Sequence, residues 1–149
     1  VGEREVDREA FASLIERILH EGESALARGD VGPRLEMWSH HDPVTLFAAV
    51  GPTRAGWAEL EPTFRSVAAR LSGGRDVRYD LLAFGISGDV AWSAGVARFV
   101  LSMDGGPPTP MVIRLTHAYR LEDGAWKVVH EHSDFQPPDH VTPPAIGSR

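Results

Sequence analysis

A chain of 149 residues with 42% hydrophobic and 24% charged side chains is long enough to bury one sizeable core, and its composition lies far from that of disordered chains. A net charge of -6 without any concentrated run of Lys and Arg argues against a nucleic-acid partner, and the absence of cysteine excludes disulfides, thiolate nucleophiles and sulfur-rich metal sites. The opening "VGEREVDREA" carries no signal pattern and no apolar run approaches the roughly 18 residues a membrane span needs, so no membrane partner is expected and the expected location is cytoplasmic.

In chain order, Val6, Ala10, Leu14, Ile18, Ala25 and Leu26, with Phe11, Ile15 and Leu19 beside them, recur at helical spacing and predict a long helix from Glu3 to Ala27. Arg28, Gly29 and Asp30 close it. Pro33 is tolerated in a first turn, so a short second helix is expected over Val31 to Trp38, completing a bent hairpin. Pro43 then breaks the helical register, and Val44 to Val50 reads as a strand followed by the turn "GPTRAG". Trp57, Leu60, Phe64, Val67, Ala68 and Leu71 predict a third helix ended by "SGG" at Ser72 to Gly74.

Beyond it four segments, about Asp76 to Ser87, Val90 to Met103, Met111 to Leu121 and Ala125 to Phe135, are separated by the turn formers "GD", "DGGPP" and "EDG" and read as an antiparallel meander. The class is therefore α+β: helices segregated from a mainly antiparallel sheet that must curve strongly around them and enclose a pocket. One domain is expected over residues 1–135. The tail "QPPDHVTPPAIGSR", residues 136–149, holds four prolines and is expected to be extended.

Chemistry-bearing residues gather near the end. Pairing Leu121 with Trp126 across the last hairpin sets His117 opposite His130 and Leu115 opposite His132. On that register His117, His130, His132 and Asp134 share one face, a set suited to acid/base work, with Asp134 or His130 as the base. The other face carries Arg114 and Thr116 with Glu131 and Ser133, a set suited to fixing a carbonyl or carboxylate. A single bulge in either strand would exchange part of one set for the other. Each residue also has a plain structural role open to it: a hydrogen-bonded strand histidine, a capping Asp134, or an Arg114–Glu131 cross-strand pair. Three imidazoles could in principle hold a metal, but no fixed-spacing motif is present, and neither metal nor cofactor is expected. Upstream, Trp38, His41 and Trp57 stand where side chains could reach a cavity mouth. The motifs G-x-S-x-G, G-x-x-x-x-G-K-[ST] and G-x-G-x-x-G are missing.

"WSHHDPVTLF" at Trp38 to Phe47, "GW" at Gly56 and Trp57, and "RLTHAYRLEDGAWKVVHEHSD" at Arg114 to Asp134 resemble the nuclear-transport-factor-2-like superfamily and its SnoaL-like branch. The resemblance runs from Arg8 to Phe135. It implies a cone-shaped α+β fold with a pocket between sheet and helices, and homodimers formed through the outer sheet face. Members include ketosteroid isomerase, polyketide cyclases, limonene epoxide hydrolase, dehydratases and noncatalytic association modules, so the fold does not fix the activity. Asp134 is similar in place to the last-strand acid of SnoaL-like cyclases and epoxide hydrolases. His130 and His132 resemble the His-x-His of the association domain of calmodulin-dependent kinases, whose pocket accepts small acids. Thr116 and Ala118 stand where the isomerase pattern needs an acid. The expected function is thus binding of a small, largely apolar or carbonyl- or carboxylate-bearing molecule, with proton-transfer chemistry as one form of it and a noncatalytic dimeric module as the alternative.

Overall fold

The computed structural model describes residues 3–137. The Pro-rich tail expected from residue 136 falls almost wholly outside the described residues. The chain runs α1 (Glu3–Ala27), α2 (Gly32–Met37), β1 (Thr45–Phe47), β2 (Thr53–Ala55), α3 (Trp57–Ala69), β3 (Leu71–Ser87), β4 (Val90–Met103), β5 (Thr109–Glu122) and β6 (Ala125–Phe135). Its strands form one six-stranded sheet in the order β2-β1-β6-β5-β4-β3, antiparallel except where β1 lies parallel to β6. This is the expected α+β architecture, with α1 packed across the concave face of a curved, unclosed sheet.

Three local expectations change. The turn read in "GPTRAG" is partly strand: the chain doubles back over Ala48 to Pro52, and Thr53–Ala55 pairs antiparallel with β1. The third helix stops at Ala69 and β3 starts at once with Leu71, so "SGG" lies inside a strand. Gly73 there adopts a positive φ of 65° within an irregular stretch of the β3–β4 ladder, which glycine permits without a Cβ penalty. Gly74 is required for a different reason: a Cβ on it would stand 2.4 Å from the Ala27 Cβ at the end of α1. Thirdly, the buried row of α1 is Phe11, Ile15, Leu19 and Ala27, while Ala10 is exposed and Leu14 only half-buried. Steps of four residues keep that row on one side of the helix. Glu23 falls in the same row and is buried with it.

The core joins this row to Trp38, Leu46, Leu60, Phe64, Phe99, Leu101, Leu115, Tyr119 and Val128. Trp38 is 1% exposed, bridges in parallel to Val128 and packs on Phe64 with ring centroids 5.2 Å apart.

Residues Ser39 to Asp42 are strapped down from two sides. Arg120 donates to the His41 carbonyl at 2.8 Å and to Ser39 Oγ at 2.9 Å. Asp42 Oδ1 accepts the backbone N–H of Trp57 at 2.8 Å, supplying the first turn of α3 with the acceptor that Gly56, at its N-cap, lacks. Asp42→Ala is therefore expected to lower stability by about 1 kcal/mol, read as a shift in the urea midpoint.

Candidate functional site

The concave face and the helices enclose a cavity of about 80 Å³. That is room for about three waters or a short organic molecule. Its walls are apolar, including Leu46, Phe64, Phe99, Leu101 and Leu115, and its polar residues are Glu23, Arg34, Glu131 and Ser133.

Those residues form one buried network. Arg34, on α2, reaches between α1 and β6 with its side chain 4% exposed. Its NH2 donates to Glu23 Oε1 at 2.6 Å and its NH1 to Glu131 Oε1 at 2.9 Å. His117 Nε2 donates to the same Glu131 oxygen at 2.9 Å, which fixes the proton on Nε2 and leaves the buried Nδ1 without a partner among the described residues. Ser133 Oγ accepts the Ala49 N–H at 2.9 Å and turns its own proton toward Glu131 Oε2. The guanidinium edges are thus taken up by the two carboxylates, while its face lies 5.6 Å from the Phe64 ring.

The two carboxyl groups are pushed in opposite directions. For Glu131 burial favours the neutral form, but the Arg34 charge and the hydrogen bonds from His117 and Ser133 outweigh it and hold the group down at about 2. For Glu23 burial dominates over the Arg34 charge, and the nearby Glu131 anion adds to it, so its proton affinity is raised. A pair of acids split in this way can divide labour between a fixed anion and a proton-exchanging group.

A bulge decides which side chains reach this network. Leu121 pairs with Trp126 and Tyr119 with Val128 as expected, but Ala118 then pairs with His130, leaving Val129 as the extra residue. From there on the register is shifted by one: His117 faces Glu131 rather than His130, and Thr116 faces His132. The expected register is corrected accordingly. His117 joins Glu131 and Ser133 inside, while His130, His132 and Asp134 lie on the outer face with Arg114 and Thr116.

None of the nine residues predicted for the site lines the cavity. His117 comes nearest, one hydrogen bond behind Glu131. Asp134 is held ionised, its carboxyl lowered by a two-pronged ion pair with Arg114 on the exposed face. His130 Nδ1 meets Thr45 Oγ1 at 2.7 Å, and burial lowers its proton affinity. His130 and His132 both set their rings edge-on to Phe47. Trp38 is core, His41 is exposed with its carbonyl held by Arg120, and Trp57 stacks on His40 at 4.0 Å outside the cavity. With His117 inside and His130 and His132 outside, the three imidazoles do not converge. Among the described residues no group of three or more His, Asp or Glu is arranged to hold a metal ion.

Asp134→Asn is expected to leave both the melting temperature and cavity binding essentially unchanged in thermal unfolding, since an exposed pair is largely screened by solvent. Sequence reasoning missed Glu23 and Arg34. The signal for Glu23 was present as a charge in the four-residue row of α1; for Arg34 there was none beyond its place in a short helix.

Helices laid on a curved, unclosed six-stranded sheet, with a buried polar network between them, define an α+β class of protein. Residues 15–136 match the SnoaL-like domain family, and the chain belongs to it. Solved structures agree in fold. A protein from Xanthomonas campestris, named as a calcium/calmodulin dependent protein kinase II association domain, is 24% identical over 86% of each chain with a TM-score of 0.61. One from Streptomyces avermitilis, named as a dehydratase of the nuclear-transport-factor-2-like family, is 18% identical over 85% of this chain and 94% of its own, at 0.66. One from Novosphingobium aromaticivorans, named as an aromatic ring hydroxylase, is 20% identical over 89% and 90%, at 0.67. No curated protein matches the chain. Among the described residues no helix is long and apolar enough to cross a membrane.

Proposed function

We propose that this chain is a small-molecule-binding domain whose occupant lies in the apolar cavity with its polar group at Glu23, Arg34 and Glu131. The observation that carries this reading is the charged network on an otherwise apolar wall. Burying ionised groups is costly, and a purely structural core would be as stable with apolar residues there. Glu23 is also the group at the cavity whose carboxyl is raised, so proton-transfer chemistry on an occupant would run through Glu23 rather than through Asp134 or His130.

The test is a thermal-shift screen of short alcohols, amines, ketones and acids on the parent and on Ala48→Phe, which fills the cavity from its half-buried wall. Compounds that raise the melting temperature of the parent should lose their effect in the variant. Shifts that survive unchanged would place their site elsewhere.

A second reading concerns assembly. Val90, Trp92 and Phe47 are 54%, 47% and 41% exposed on the outer sheet face, a surplus of large apolar groups that suits a second copy of the chain. Structures named as association domains share the fold. Sedimentation should find a dimer for the parent and a monomer for Trp92→Glu; a monomeric parent would end this reading.

A further inference from the structure

The acceptors and donors at the cavity are unequal in number, and this imbalance constrains what can occupy it. Arg34 spends Nη1 on Glu131 and Nη2 on Glu23, and its Nε, which has no hydrogen-bond partner among the described residues, is sealed off with less than 1 Å² of exposed surface. Ser133 directs its proton to Glu131. His117 spends Nε2 on Glu131 from the far side. Apart from that sealed Nε, the polar side-chain donors at this end are therefore turned toward a carboxylate. Acceptors remain: Glu23, whose side chain is only 7% exposed, gives Oε1 to Arg34, and its Oε2 takes no hydrogen bond from any described residue. Counted as charges on the cavity wall, two carboxylates face one guanidinium.

Resting on the reading of the cavity as a ligand site, we propose that its occupant is a small organic ammonium, with a short apolar body against Phe64, Phe99 and Leu115 and its cationic nitrogen donating to Glu23 Oε2. The ammonium supplies both what the site lacks, a hydrogen-bond donor and a second positive charge. A carboxylate of the same size would add a negative charge to a wall that already carries the Glu131 anion and would have only the Glu23 proton to accept. A neutral alcohol can donate one hydrogen bond but brings no charge to face an ionised Glu23.

Glu23 has its own way of evening the count. Glu23 faces Arg34 from α2, Glu131 from β6, His117 from β5 and the Tyr79 hydroxyl from β3, and burial in that company favours its protonated form. An arriving ammonium takes the place of that proton. Binding therefore releases a proton over the range in which Glu23 titrates, and affinity rises with pH through that range.

The experiment compares butylammonium chloride, 1-butanol and sodium butanoate by thermal shift and calorimetry on the parent and on Glu23→Gln. Butylammonium should bind the parent most tightly and the variant at least about tenfold more weakly, while 1-butanol should bind both alike. Calorimetry of the parent in buffers of different ionisation enthalpy, repeated across the acid to neutral range, should show proton release with butylammonium where Glu23 titrates and none with 1-butanol, a readout that does not depend on the variant folding. Butanoate binding the parent as well as butylammonium does, or butylammonium binding without proton release, overturns the ammonium assignment and leaves the cavity reading standing. If none of the three binds, and the short compounds of the wider screen also fail, both fall together.

Discussion

Arg34→Ala should cost roughly 3–5 kcal/mol of folding free energy in urea titration. A domain of this size has only about 5–15 kcal/mol in all. The loss comes less from the two ion pairs than from what they leave behind: Glu23 and Glu131, both more than nine-tenths buried, would keep their desolvation cost and lose the charge that offsets it. Arg34→Lys should recover little, because one ammonium has no fork to hold two carboxylates that come from different elements. Replacing the set together, as Arg34→Met with Glu23→Gln and Glu131→Gln, should restore most of the stability while abolishing ligand binding. Such a result would show that the network is retained for its chemistry rather than for the fold.

The same network sets the acid limb of stability. Glu131 drops from an ordinary value of 4.5 to about 2 on folding, so the stability it contributes is full above 4.5 and is lost as the pH falls through about 2. Glu23 is shifted the other way. Its contribution is present below 4.5 and is lost as the pH rises through its raised value. The two slopes oppose each other in the mildly acid range, and Glu23→Gln removes one of them.

Phe11→Ala is expected to cost about 3–5 kcal/mol, also read from urea unfolding. Phe11 is 2% exposed and packs on three rings at once, with centroids 5.6 Å from Phe84 and 5.4 Å from both Tyr119 and Trp126. It joins α1 to β3, β5 and β6, so its removal opens a void under three strands that rigid neighbours cannot close. Phe11→Leu should recover more than half of the loss by refilling most of that volume.

Much of this architecture is legible in the sequence because it is periodic. The helix of residues 3–27, the strands Val90–Met103 and Ala125–Phe135, and the meander itself follow from spacing and turn formers, and the observed bounds coincide with the expected ones. The site was legible only in part. His117, Glu131 and Ser133 were visible as polar residues on adjacent strands, yet their grouping depends on one unpaired residue, Val129, whose bulge is a matter of backbone hydrogen bonding rather than side-chain type. Glu23 was hidden by its own favourable helix propensity, which makes a glutamate look like ordinary solvent-facing surface. Arg34 acquires its meaning only when residues 11 and 97 positions away in the chain arrive beside it.

The bulge at Val129 also acts as a parity bit for the closing strand. Every residue after it carries the opposite inside-or-outside assignment from the one an unbroken hairpin would give relative to β5. Taking Val129 into the ladder as a regular strand residue would turn Glu131 and Ser133 outward and carry His130, His132 and Asp134 to the cavity, exchanging an acceptor-rich interior for an imidazole-rich one without a single substitution, whereas deleting Val129 would leave His117 facing Glu131. Within this fold, the gain or loss of a bulge in the last strand is therefore a shorter route to new chemistry than stepwise replacement of the residues that perform it.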